Sequence, residues 1–172
     1  MTTQGEAMAA RPARPRVGGE RELLGAYLDF HRATVLAKLT GLDDKVLRRP
    51  VAPTTMSPLG LLRHLTFGER YWFSHVFAGD EADVPQAVGD QDREWQVGPD
   101  ESTAGLRAEY EAQVVRSHAV LAAHGLDDLA RRPPDGEPHS LRFVLVHVLE
   151  ETARHVGHLD VLREALDGTT GE

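Results

Sequence analysis

The amino-acid sequence predicts an all-α protein, a single bundle of four helices. Three observations carry that reading. Four stretches repeat apolar residues at steps of three and four, the spacing of one helix face. Segments rich in proline and glycine separate them. No segment alternates with the period of two that a half-buried strand requires. At 172 residues the chain suits one domain that buries its own core.

Residues 1–18 hold small residues, prolines and glycines without an apolar period, and are expected to be a disordered leader ahead of a bundle over residues 19–168. The first helix is expected from Glu20 to about Thr40, where Leu24, Tyr27, Leu28, His31, Val35 and Leu39 line one face and Gly41 supplies a stop. A connector over 41–56 follows. Ser57 is a good N-cap and Pro58 sits at the first helical position, where its missing N–H costs nothing. The second helix then carries Leu61, Leu65, Trp72 and Val76 inward and stops near Phe77. A polar stretch over 78–101 contains Pro85, Gly89, Gly98 and Pro99; a loop of that length in a compact domain is functional or disordered. Ser102 or Thr103 caps the third helix, which runs to His124 with Leu106, Tyr110, Val114 and Leu121 inward. The last helix runs from about Ser140 to Leu166, with Gly168 as its stop and a continuous stripe from Leu141 to Leu162.

Composition narrows the function. Hydrophobic residues make up 41% and charged residues 27%, near the averages for soluble proteins. No apolar run is long enough to span a bilayer, and no secretory signal leads the chain, so the expected location is cytoplasmic. A net charge of −8 argues against a nucleic-acid partner, which needs concentrated positive charge. The chain has no cysteine, which excludes disulfides, thiolate metal ligands and a cysteine nucleophile. Any thiol chemistry takes its sulfur from a substrate.

The last helix carries His147, Glu151, His155 and His158 within an arc of roughly 80° along one edge of the apolar stripe. Glu151 and His155, four apart, can grip one ion from adjacent turns. His64, beside Leu61 and Leu65, is the best third ligand, because bundles build metal sites from facing helices. Gly68, one turn on, leaves space on the same side. Each half has an ordinary reading too. A lone histidine at a core edge is most often a packed residue, and a Glu–His pair at i, i+4 is most often a surface pair. His31 is expected to be packing, and His75, His118, His124 and His139 surface or loop residues. Trp95 either anchors the 78–101 loop or helps it cover a site.

The stretch from Ser140 to Gly168, SLRFVLVHVLEETARHVGHLDVLREALDG, resembles the last helix of the DinB-like superfamily, nearest an actinobacterial branch described as a domain of unknown function. The stretch from Ser57, SPLGLLRHLTFGERYWF, resembles that branch's second helix. The resemblance covers roughly residues 20–168. It implies a four-helix bundle in up-down-down-up order with a long crossover. It also implies a divalent metal held by a histidine of helix two and a pair on the last helix. The usual pair is HxxxH; here it reads Glu151-Thr152-Ala153-Arg154-His155, similar to the mycothiol-dependent maleylpyruvate isomerases of the superfamily. The ligand set carried over is His64, Glu151 and His155, with His158 a fourth ligand or an outer partner and His147 a structural neighbour. Zinc is the first choice of metal, with nickel, iron and manganese suiting the same donors. Related proteins use small thiols such as mycothiol or bacillithiol as S-transferases and isomerases, and homodimers are common among them. The expectation is therefore a metal-dependent enzyme that activates a cosubstrate thiol towards an electrophile. A non-catalytic metal-binding or scaffold bundle is the competing class, and a metal-free bundle a third.

Overall fold

The computed structural model describes residues 3–85, 89–90 and 92–170. Residues 86–88 and 91, inside the expected 78–101 loop, lie outside the described residues, as do the first two and last two of the chain. Among the described residues the chain is helical with one isolated bridge, Leu129 to Ser140. Among the described residues no helix is long and apolar enough to cross a membrane.

Each helix begins where its capping chemistry dictates. The segment read as an unstructured leader contains a short helix, α1 (Gln4–Ala9), closed by a reciprocal capping box between Thr3 and Glu6. It packs on the next helix, and behind it the guanidinium groups of Arg11 and Arg14 stand 4.4 and 3.9 Å from the Phe30 ring centroid. An apolar-period criterion misses such a segment because caps and cation–π contacts hold it. The first long helix, α2 (Glu20–Lys38), ends slightly before the expected Thr40, followed by Gly41 at φ 88°. The connector contains a further turn, α3 (Asp44–Leu47), whose Val46 N–H donates to Asp43 at 2.9 Å.

Ser57 and Pro58 start α4 (Pro58–Glu69) as expected, the Ser57 hydroxyl accepting from the Gly60 N–H at 3.1 Å. The helix does not stop there. It widens into a π-helix over Arg70–Phe77, with the Ala78 N–H reaching back to the Phe73 carbonyl at 3.0 Å. A 3-10 turn at Asp92–Glu94 follows in the long connection. Ser102 caps α5 (Thr103–Ala123), and Ser140 caps α6 (Leu141–Asp167), which Gly168 closes in the left-handed conformation at φ 75°. The most extensive helix contacts are α2 with α6 and α4 with α5.

The apolar core falls into two clusters. One gathers Val35, Leu61, Leu65, Tyr110, Leu159 and Leu162; the other gathers Leu28, Phe73, Phe77, Leu121, Leu141 and Leu145. Between them every long helix contributes polar side chains. Arg32 of α2 pairs with Glu69 of α4 through two bonds of 2.6 and 2.7 Å, both side chains at most 4% exposed. Ser117 of α5 donates to Glu69 at 2.7 Å, and Gln113 donates to Ser74 at 3.2 Å. On α6 the same level holds Glu151, Thr152 and His155, between Val148 of one cluster and Val156 of the other.

Breaking one partner of a buried bidentate pair strands the other's charge, whereas replacing both with apolar groups removes the desolvation cost as well. Glu69→Leu alone is therefore expected to lower unfolding free energy by about 3–5 kcal/mol, and Arg32→Met with Glu69→Leu by much less than the two single losses together. Urea unfolding of the three variants measures this.

Candidate metal centre

α4 turns His64 to the edge of its leucine face, and α6 presents Glu151 and His155 on successive turns opposite. His64, Glu151 and His155 each bring one ligand atom to a common point, all within 4.8 Å of one another. The two imidazole centroids stand 4.7 Å apart at 71°. His155 Nε2 lies 3.4 Å from Glu151 Oε2. The other Glu151 oxygen accepts from Arg154 at 3.1 Å. Two helices thus bring together the residues that sequence spacing left on separate elements.

The far side of each ring is also engaged. His64 Nδ1 lies 3.0 Å from Glu94 Oε2, and His155 Nδ1 lies 3.1 Å from His158 Nδ1. With both Nδ1 atoms held from outside, Nε2 of each ring is left for the centre. This is the arrangement in which outer partners fix the tautomer and orientation of metal-binding imidazoles. Burial, reinforced by the neighbouring His155, holds His64 well below the ordinary histidine range, while a neutral ring still donates its Nδ1–H to Glu94. Burial also lowers His155, with Glu151 pulling the other way. Neutral imidazole is the form that ligates. Two neutral nitrogens and one carboxylate oxygen fit a divalent ion of the borderline class.

Glu94 is the residue that sequence reasoning missed. It belongs to no helical period, and its side chain is only 8% exposed although it sits in a polar connection. The one signal beside it was Trp95, whose ring stacks on His64 at 4.1 Å between centroids and 9° between planes. This stack fits both readings of Trp95, holding the loop on α4 while covering a face of His64. The loop approaches α4 so closely that a Cβ on Gly60 would lie 2.9 Å from the Trp95 carbonyl oxygen, so glycine at position 60 permits the docking.

The other histidines divide. His158 stands behind His155 rather than within the group of three. His147 is 4.3 Å from Trp72 and faces a cavity. His118 is exposed and bonded to Asp29 at 2.7 Å. His31 packs edge-on to Phe30 at 5.6 Å. His139, expected as a surface or loop residue, lies in the loop before α6 and is buried there, because the Leu129–Ser140 bridge and the bond from the Ala130 N–H to its carbonyl fold that loop inward.

A cavity of about 250 Å³ opens directly beside the three donors, with His64 and Glu151 in its wall. Leu65, Gly68, Tyr71, Trp72 and Val148 complete much of the lining. A Cβ on Gly68 would meet nothing within 4 Å, which bears out the space expected at that position.

A comparison with curated proteins finds no match. The family model described as mycothiol-S-transferase matches residues 23–168, from the first turn of α2 through the cap of α6. Those residues carry all four long helices and all three donors, and the chain belongs to the mycothiol-S-transferase family.

Proposed function

We propose that this protein is a metal-dependent S-transferase that joins the sulfur of mycothiol to an electrophile, with His64, Glu151 and His155 as the metal ligands. The observation that carries the proposal is the convergence of three donors, two of which, His64 and Glu151, line the wall of a cavity. Family membership supplies the thiol, and the absence of cysteine from the sequence leaves the cosubstrate as the source of sulfur.

A divalent ion held by these donors would lower the pKa of a thiol beside it. The chain's own residues perform the rest. His64 and His155 offer Nε2, and Glu151 offers one oxygen. Glu94 and His158 hold the two rings from their Nδ1 atoms. Trp95 covers one face of His64 and limits the approach of water from that side. The cavity lets the electrophile meet the thiolate. There a sulfur–carbon bond forms, the leaving group departs with its electron pair, and the thiol proton passes to solvent. The donor set favours zinc, with nickel, iron or manganese as substitutes. The proposal includes a bundle unit over residues 19–168 in up-down-down-up order with its long crossover between α4 and α5. It also includes a cytoplasmic location and a homodimer.

Protein purified without a histidine tag is expected to hold one divalent ion per chain, and His64→Ala and His155→Ala to lose it along with thiol transfer. Metal analysis and an assay of mycothiol, bacillithiol and glutathione against a common electrophile check this; unchanged metal content in both variants would overturn the site. Glu94→Ala is expected to weaken metal affinity about 10–100-fold, the usual effect of removing an outer partner, with Glu94→Gln retaining part of it. Competition with a chromophoric chelator measures both. Gly60→Ala, which displaces the Trp95 backbone, is expected to weaken affinity in the same direction.

A further inference from the structure

A second cavity, of about 370 Å³, lies where the N-terminal segment crosses α2 and α6. It is of the size that holds a small molecule. Met8, Arg11 and Arg14 line it from a segment that precedes residue 23, where the family match begins. His31 and Lys38 of α2 and Val156 and Asp160 of α6 supply much of the remaining wall. None of the three metal donors belongs to it.

The charges in this wall do not cancel. Lys38, only 1% exposed, is paired with Asp160, Nζ to Oδ1 at 2.6 Å. Arg11 donates from Nε to the Met8 carbonyl at 2.7 Å and from Nη1 to the Thr34 hydroxyl at 3.3 Å; it has further interactions and is counted as compensated. Arg14 is exposed. Its guanidinium stands 3.9 Å from the Phe30 ring centroid and 5.8 Å from that of Tyr27, and meets no carboxylate among the described residues. With Lys38 set against Asp160 and Arg11 set to zero, the charge of Arg14 is left over. His31 adds a donor. Burial, reinforced by Arg14 and Arg11, holds its pKa below the ordinary histidine range, so the ring is neutral near pH 7. Its Nδ1 is buried without a partner among the described residues. A proton on Nε2 leaves only a lone pair buried there, which is tolerated better than a buried N–H. Nε2 is not buried and meets no protein acceptor among the described residues, so its N–H is available to a ligand.

We infer that this cavity is a second ligand site, and that it takes a small monocarboxylate with an aliphatic body, bound through Arg14 and the imidazole of His31. A carboxylate leaves water only for charged and N–H donors, and a guanidinium fork meets its two oxygens together. Met8 and Val156 offer carbon to the body of the acid. One surplus positive charge balances a monoanion, whereas a phosphate dianion would leave a negative excess. No step of thiol transfer enters the inference, so it stands apart from the transferase reading.

Calorimetric titration of the full chain with hexanoate, hexanamide and inorganic phosphate tests this. One hexanoate per chain is expected to bind, at least about tenfold more tightly than either of the others. Arg14→Gln, at an exposed position, is expected to weaken hexanoate at least about tenfold, with Arg14→Lys recovering part of the loss. Arg16→Gln removes the same charge two residues on, outside the cavity wall, and is expected to change the affinity by less than about twofold, because solvent screens an exposed charge. His31→Phe, which keeps a ring but removes the donor, is the second variant and is expected to weaken binding. The neutral chelator 1,10-phenanthroline is expected to leave hexanoate binding unchanged, which separates this cavity from the metal centre. No saturable hexanoate binding, equal binding of hexanamide, tighter binding of phosphate, loss of binding on chelation, or unchanged affinity in Arg14→Gln would each overturn the inference.

Discussion

A polar layer cuts the core of this bundle in two, and the rest of the molecule is arranged around satisfying it. Arg32, Glu69, Gln113 and Ser117 meet where an ordinary bundle would continue its leucines. Burying such groups is costly unless each finds a partner. The Arg32–Glu69 pair closes with two short bonds and a third from Ser117. Beside it, His64 of α4 comes together with Glu151 and His155 of α6. A carboxylate and two imidazoles at the rim of the core have the same need for partners, and a cation shared among them would meet it.

The two halves of the layer act differently because their donors differ. A guanidinium neutralises Glu69 permanently, so that half is structural. In the other half burial disfavours the charged form of two imidazoles that meet Glu151, a donor set that fits a divalent ion. The connection that carries Glu94 and Trp95 supports the second half from outside. Its docking on Gly60 ties the orientation of His64 to a loop remote in sequence. The widened helix after Glu69 brings Tyr71 and Trp72 into the wall of the neighbouring cavity.

Much of the architecture was legible because helix signals are local. Ser57 with Pro58, Ser102 and Ser140 with Gly168 mark their boundaries by hydrogen-bonding chemistry that needs no tertiary context. His64, Glu151 and His155 were legible as candidates because helical spacing sets them beside apolar stripes. Arg32, Lys38 and Arg163 were not identified as interior residues, since charged side chains normally mark a solvated face. The turn at Gln4–Ala9 escaped because it lacks an apolar period, and Glu94 because a loop residue has no period to read.

By itself, then, the sequence determined the four long helices, their caps and inward faces, and the residue types able to hold a divalent ion, because these follow from backbone geometry and side-chain chemistry within a few residues. Tertiary structure decided which donors meet, which nitrogen of each ring is left for the centre, and what the adjoining cavity is made of. Those outcomes depend on the distance between α4 and α6 and on where a long connection returns, quantities set by packing across the whole core.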